Sequence, residues 1–138
     1  MKQKDIKIIH ELRNNARLPL TNMSRKTRIP VSTLYDRIQV QRTVCLKGFT
    51  SLIDFAKLGF KHHLFILAKA FDKQSLLDFL QLNPNVNTIF KIGNGGDVAV
   101  ECIFENKKAF DSFENRLPGL IISSSKITNE IKHEGFFA

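Results

Sequence analysis

LTNMSRKTRIPVSTLYDRIQVQR, residues 20–42, holds two short helical patterns on either side of a break. Thr21 can cap the first, its hydroxyl taking a backbone N–H that has no partner at a helix start. Met23 and Thr27, four apart, point to one side of it. Ile29 precedes Pro30 and is pushed out of the α region, which ends that helix. Ser32 can cap a second helix, in which Leu34 and Ile38 form a buried stripe. Opposite lie Ser32, Thr33, Asp36 and Gln39, with Tyr35 and Arg37 on the flanks. The layout is that of a helix-turn-helix whose second helix enters a DNA major groove.

An ordinary helical hairpin has the same apolar pattern, so charge must decide between them. Residues 1–48 hold 11 Lys and Arg against 3 acidic side chains, Asp5, Glu11 and Asp36. Residues 49–138 hold 10 of each sign, so the chain's entire +8 lies on the segment with the two helices. A solvated face is usually mixed in sign, whereas phosphates attract this one-sided excess. Thr33, Asp36 and Gln39 are the candidates for base edges, since Gln can bond adenine and Asp can accept from cytosine. Arg25, Lys26, Arg28, Arg37, Arg42 and Lys47 are the candidates for phosphates, with Ser32 and Tyr35 beside them. For Asp36, a salt bridge to Arg37 or Lys26 competes with base reading.

Length and composition bound the rest. The 138 residues, 43% apolar, can form one domain or two small ones. No apolar run reaches the roughly 18–20 residues that span a bilayer. The start, MKQKDIKIIHEL, has no signal-type apolar core. The expectation is therefore a cytoplasmic protein associated with the nucleoid, without a membrane partner. Cys45 and Cys102 form no CxxC and have no histidine cluster, so neither a metal nor a disulfide is expected. His62 and His63 are adjacent in a strand and point to opposite faces. The chain has no nucleophile with a base, no paired carboxylates and no cofactor motif, which points away from an enzyme. Twelve Phe, one Tyr and no Trp fill cores rather than present a stacking surface for RNA.

Residues 5–14 read as a first helix with Ile6, Ile9 and Leu12 inward. Thr43-Val44-Cys45-Leu46 and Phe49-Thr50-Ser51-Leu52-Ile53 flank Lys47-Gly48 and read as a hairpin, or wing, leading into a connecting strand. Beyond a hinge at 54–59 the order is βαββαβ. The strands are 63–70, 86–92, 98–104 and 120–132, and the helices are capped by Asp72 and Asn106. This is α+β: an N-terminal winged helix-turn-helix followed by a C-terminal ferredoxin-like domain with both helices on one sheet face. The expected divisions are 1–48 for DNA binding, 49–61 for the linker and 62–138 for dimerisation and effector binding. The uncovered sheet face calls for a second copy.

DIKIIHELRNNAR, IPVSTLYDRI, KGFTSLIDFAKLGF and the Gly-rich turn before Asp97 resemble the leucine-responsive regulatory protein family (Lrp/AsnC, the feast/famine regulators) across essentially the whole chain. The resemblance implies a transcriptional regulator that dimerises through its C-terminal sheets and often assembles into tetramers or octamers. It also implies small effectors, commonly amino acids, bound between C-terminal domains. By that likeness Gly93, Asn94, Gly95, Gly96 and Asp97 form an effector or assembly loop; by their own chemistry they form a hairpin turn. Three departures stand out. Arg28 takes a place usually held by Gly or Asn, where a β-carbon costs roughly 1 kcal/mol if φ is positive. The stretch from Ile38 to Gly48 is about one residue short, and Gly93 lies four rather than three before Asp97. The competing function is a non-specific architectural DNA binder whose C-terminal domain only oligomerises.

Overall fold

The structure, a computed structural model, describes residues 1–93, 95 and 97–136. They divide into two compact units, 1–52 with 131–136, and 53–130.

The first unit is built on α1 (Gln3–Asn14), α2 (Leu20–Thr27) and α3 (Val31–Val44). Ile8, Met23, Ile29, Leu34 and Ile38 form its core, with Leu12, Leu18 and Leu20 packed against them. Helix α1 is rotated from the expected register: Asp5 and Ile8 are buried while Ile6 faces outward. The turn after α2 carries Arg28 at φ 58, ψ 33, the left-handed conformation in which its β-carbon is strained. Its N–H closes the helix on the Ser24 carbonyl at 2.8 Å.

Two local expectations are corrected. Thr21 and Ser32 do not cap, because Pro19 and Pro30 hold the cap positions and the helices start one residue later. Each proline has no N–H to satisfy, and its carbonyl accepts the first helical bond, from Met23 at 3.0 Å and from Leu34 at 2.9 Å. The wing hairpin does not form either: Thr43 and Val44 are the last turn of α3, and residues 45–54 pair with no strand. The N–H groups of Cys45 and Leu46 both go to the Gln41 carbonyl, at 2.9 and 2.8 Å, which prolongs the helical path. Against such local bonds an isolated two-stranded hairpin is marginal.

The second unit runs β1 (His62–Lys69), α4 (Lys73–Leu82), β2 (Val86–Ile92), β3 (Asp97–Phe104), α5 (Lys107–Arg116) and β4 (Leu120–Lys126), after a 3-10 turn at Phe55–Leu58. The sheet is antiparallel in the order β2-β3-β1-β4. Asp72 and Asn106 cap the two helices by accepting from Ser75 N and Ala109 N at 3.2 and 2.9 Å. Leu64, Ile66 and Ala68 of β1 and Val98, Val100, Cys102 and Phe104 of β3 face Leu76, Leu80, Phe110 and Phe113. Phe104 meets Phe110 and Phe113 edge-on at 5.5 and 5.2 Å, a favoured aromatic geometry. Burial pushes the Cys102 thiol up to about 12, with the nearby Glu101 charge adding to it, so this is an inert core residue. Strand β4 ends at Lys126 rather than at 132. The chain from 131 packs with the first unit.

Candidate nucleic-acid interface

Helix α3 presents two unlike sides. Leu34, Ile38 and Gln41 are buried at i, i+4, i+7. Gln41 is a polar residue on that side, and its Oε1 accepts from the Cys45 thiol at 3.1 Å. Ser32, Tyr35, Asp36, Gln39 and Thr43 are exposed on the outer side, while Thr33 is half-buried at its margin. Helical spacing sets Ser32, Asp36, Gln39 and Thr43 in a row away from the core. Thr43 was not anticipated as part of this row, because its β-branched neighbourhood reads as a strand. The signal that could have found it is its i+4 spacing from Gln39. Its hydroxyl donates back to the Val40 carbonyl at 2.8 Å. Among the described residues Asp36 makes no salt bridge to Arg37 or Lys26, which pair with Asp5 and Glu11 instead.

The basic candidates fall into two groups. Arg25 and Lys47 are exposed, and Arg28 projects from the left-handed turn between the helices. The Arg42 guanidinium lies 5.7 Å from the Phe49 ring centroid, a cation–π contact that leaves its N–H edge available. Lys26 and Arg37 each pair with a carboxylate of α1, Lys26 at the surface. Lys26 Nζ lies 3.3 Å from Glu11 Oε2. Arg37 Nε lies 3.3 Å from Asp5 Oδ1, an oxygen that is buried and has no aligned hydrogen bond. Distance makes this an ion pair; the missing alignment makes it an electrostatic tie more than a hydrogen bond. It joins α1 to the recognition helix.

The loop candidates lie in the other unit. Gly93 has φ 59, where a β-carbon would be strained, and Asp97 opens β3 opposite Ile92. Asn94 and Gly96 lie outside the described residues. On the sheet face away from the helices, β1 contributes His63, Phe65 and Leu67. Thr88, Phe90 and Ile92 come from β2, and Ala99, Glu101 and Ile103 from β3. Phe65 is 39% and Phe90 53% exposed there. Glu101 is the polar centre of this face. It takes bonds from His63 Nε2 at 2.7 Å, Asn87 Nδ2 at 2.9 Å and the Thr88 hydroxyl at 3.1 Å. Partial burial works against its charge, but these bonds outweigh it and hold the carboxyl below its ordinary range. The resulting stability is present above that range and is lost as pH falls through the lowered value. Among the described residues no cluster could hold a metal ion, and no helix is long and apolar enough to cross a membrane.

No protein-family model matches. The HTH-type transcriptional regulator FL11 of Pyrococcus horikoshii is 26% identical over 140 residues, covering 92% of this chain and 93% of that one. The HTH-type transcriptional regulator LrpA of Bacillus subtilis is 28% identical over 117 residues, covering 82% and 86%. Among solved structures, B. subtilis LrpC superposes with a TM-score of 0.86 at 23% identity, over 96% of this chain and 97% of that chain. The transcriptional regulator NMB0573 of Neisseria meningitidis, in complex with L-Met, superposes with a TM-score of 0.84 at 22% identity, over 96% and 93%. The shared fold is the helix-turn-helix followed by the ferredoxin-like sheet.

Proposed function

We propose that the chain is a transcriptional regulator of the Lrp/AsnC type, like the HTH-type regulators it is similar to, and that it reads specific sequences of double-stranded DNA as a homodimer. The observation that carries this reading is the outer row of α3, polar and unobstructed by its own unit, on a segment holding the chain's whole positive excess. In this reading residues 1–48 bind DNA, 49–61 connect, and 62–138 dimerise and sense. The protein works in the cytoplasm on the nucleoid. Ser32, Thr33, Asp36 and Gln39 meet base edges, while Arg25, Arg28, Arg42 and Lys47 meet phosphates beside Tyr35. Fragments selected from the source genome supply the operator. Gln39→Ala should then weaken operator binding by roughly 1–3 kcal/mol per half-site while leaving non-specific binding unchanged. A wild-type ratio of specific to non-specific affinity near one would instead favour an architectural binder.

The dimer is assigned to the open sheet face. Phe65, Leu67, Phe90 and Ile92 give it an apolar character, and its central carboxylate is already satisfied by His63, Asn87 and Thr88. It can therefore be covered without stranding a charge. Phe90→Asp in the full chain should yield a folded monomer in sedimentation at micromolar concentration. A variant that stays dimeric would move the interface elsewhere. Dimers of this kind can assemble further into tetramers or octamers.

The L-Met held by the Neisseria regulator supports a small amino-acid effector for this chain too. The loop at 93–97 is its proposed seat, or else a contact between dimers. Asp97 can accept from an α-amino group, and the glycines let backbone approach closely. Asp97→Ala should keep the dimer and half-site affinity but lose either the calorimetric response to amino acids or the higher assembly. If neither changes, the loop is a plain turn.

A further inference from the structure

At the C-terminal turn of α1 the Arg13 guanidinium grips residues 134 and 136. Its Nε donates to the Phe136 carbonyl at 2.9 Å. One terminal nitrogen donates to the Glu134 carboxylate at 2.7 Å, and the other to the Glu134 carbonyl. An exposed ion pair alone would be a weak tie, held and lost with side-chain rotamers. Here two of the three bonds run to main-chain carbonyls, so what is fixed is the path of the backbone. Glu134 sits at φ 46, in the left-handed region where a residue with a β-carbon is strained. Such strain persists where the surroundings over-determine the conformation, and a three-point guanidinium fork does that. The Glu134 carboxyl is also held below its usual range, first by the Arg13 hydrogen bond and then by its charge.

The sequence puts 127–132 at the end of the last strand, yet β4 stops at Lys126 and residues from 131 pack with the helices. We propose that the C-terminal turn of α1 is a docking site whose occupant is this chain's own segment 131–136, gripped by Arg13. The chain then passes between the helical and sheet units twice, once at 52–53 and again at 130–131. A unit joined at two points is restrained more than one joined at a single linker, as closing a loop removes chain freedom. In a dimer this restraint limits how far the two recognition helices can separate or turn, and so sharpens the half-site spacing that is accepted. That consequence rests on the DNA reading above; the docking does not.

The docking is tested on the full chain by trypsin cleavage after Lys132. Cleavage follows the population of the open segment, so Arg13→Ala should speed it by about tenfold or more, and Glu134→Ala, which keeps both main-chain bonds, should speed it less. Arg13→Lys keeps the charge but loses the fork, and should behave closer to Arg13→Ala than to wild type. Equal cleavage in wild type and Arg13→Ala, both folded by circular dichroism, overturns the docking. Arg13→Lys matching wild type overturns the fork as its cause. The restraint is tested with an operator whose half-sites are moved apart by about half a helical turn. Wild type should lose affinity and Arg13→Ala should lose less. Equal losses with unequal cleavage overturn the restraint and leave the docking standing. A wild type that binds no operator counts against the DNA reading alone.

Discussion

Affinity for DNA is expected to fall by roughly 10³–10⁵-fold between 50 and 200 mM salt, the loss that accompanies release of counterions from some 6–10 phosphates. The structure narrows which residues supply that number. Of the 11 basic residues in 1–48, Arg13 is committed to residues 134 and 136, Lys26 to Glu11 and Arg37 to Asp5. Among the described residues, four that flank the outer row of α3 are exposed and form no salt bridge: Arg25, Arg28, Arg42 and Lys47. Two copies in a dimer present twice that set, which falls within the range that gives the stated slope. Fluorescence anisotropy at stepped salt measures it directly. Arg42→Ala in both protomers should shallow the slope by about two phosphate contacts and weaken binding evenly across sequences. A flat salt response would rule out the phosphate-led mode of binding altogether.

Much of this architecture is legible in the sequence where local chemistry and tertiary packing agree. Leu34 and Ile38 give the buried side of the recognition helix, Asp72 and Asn106 cap where they stand, and the apolar residues at 98, 100, 102 and 104 mark the strand face that meets the helices. The likeness marks the place of Arg28 as one usually held by Gly or Asn, and Arg28 is left-handed there. The misreadings share a cause: the residue types favoured one local state while a neighbour supplied a better partner. Ser32 is a good cap, but Pro30 already offers its carbonyl and lacks an N–H, so the helix starts before the hydroxyl is needed. Thr43 and Val44 favour strands, yet no partner strand exists beside them, while the Gln41 carbonyl lies within reach of two N–H groups. Bulges at Val86/Thr88 and Leu67/Ala68 were invisible, since an extra residue shows only in pairing. The recognition row was readable in outline, but its last member and the pairing of Lys26 and Arg37 with carboxylates of α1 were not. Nothing in the sequence says which of several lysines and arginines finds a carboxylate on another helix.

Asp5 is the sharpest instance, and it carries the largest expected effect on stability. It reads as a solvated acid in the first turn of an amphipathic helix, yet only 4% of it is exposed. It performs two tasks there. Its Oδ2 accepts the Lys2 backbone N–H at 3.3 Å, placing negative charge at the positive end of α1. Its Oδ1 lies 3.3 Å from Arg37 Nε on α3, and the Arg37 side chain is only 24% exposed. Removing one member of a buried pair leaves the other without compensation and costs roughly 3–5 kcal/mol. Arg37 keeps some contact with water and the pair is imperfectly aligned, so Asp5→Ala should cost nearer 3 kcal/mol. Urea denaturation followed by circular dichroism should show this as a lower midpoint with an unchanged slope. Asp5→Leu with Arg37→Met removes both charges and fills similar volume, and should recover most of the loss. DNA binding by that double variant then reports what Arg37 does besides holding α1. An unchanged operator affinity makes it purely structural, while a drop with a shallower salt slope makes it a phosphate contact as well. If Asp5→Ala shifts stability by less than about 0.5 kcal/mol, as an ordinary surface change would, the buried tie between α1 and α3 is refuted.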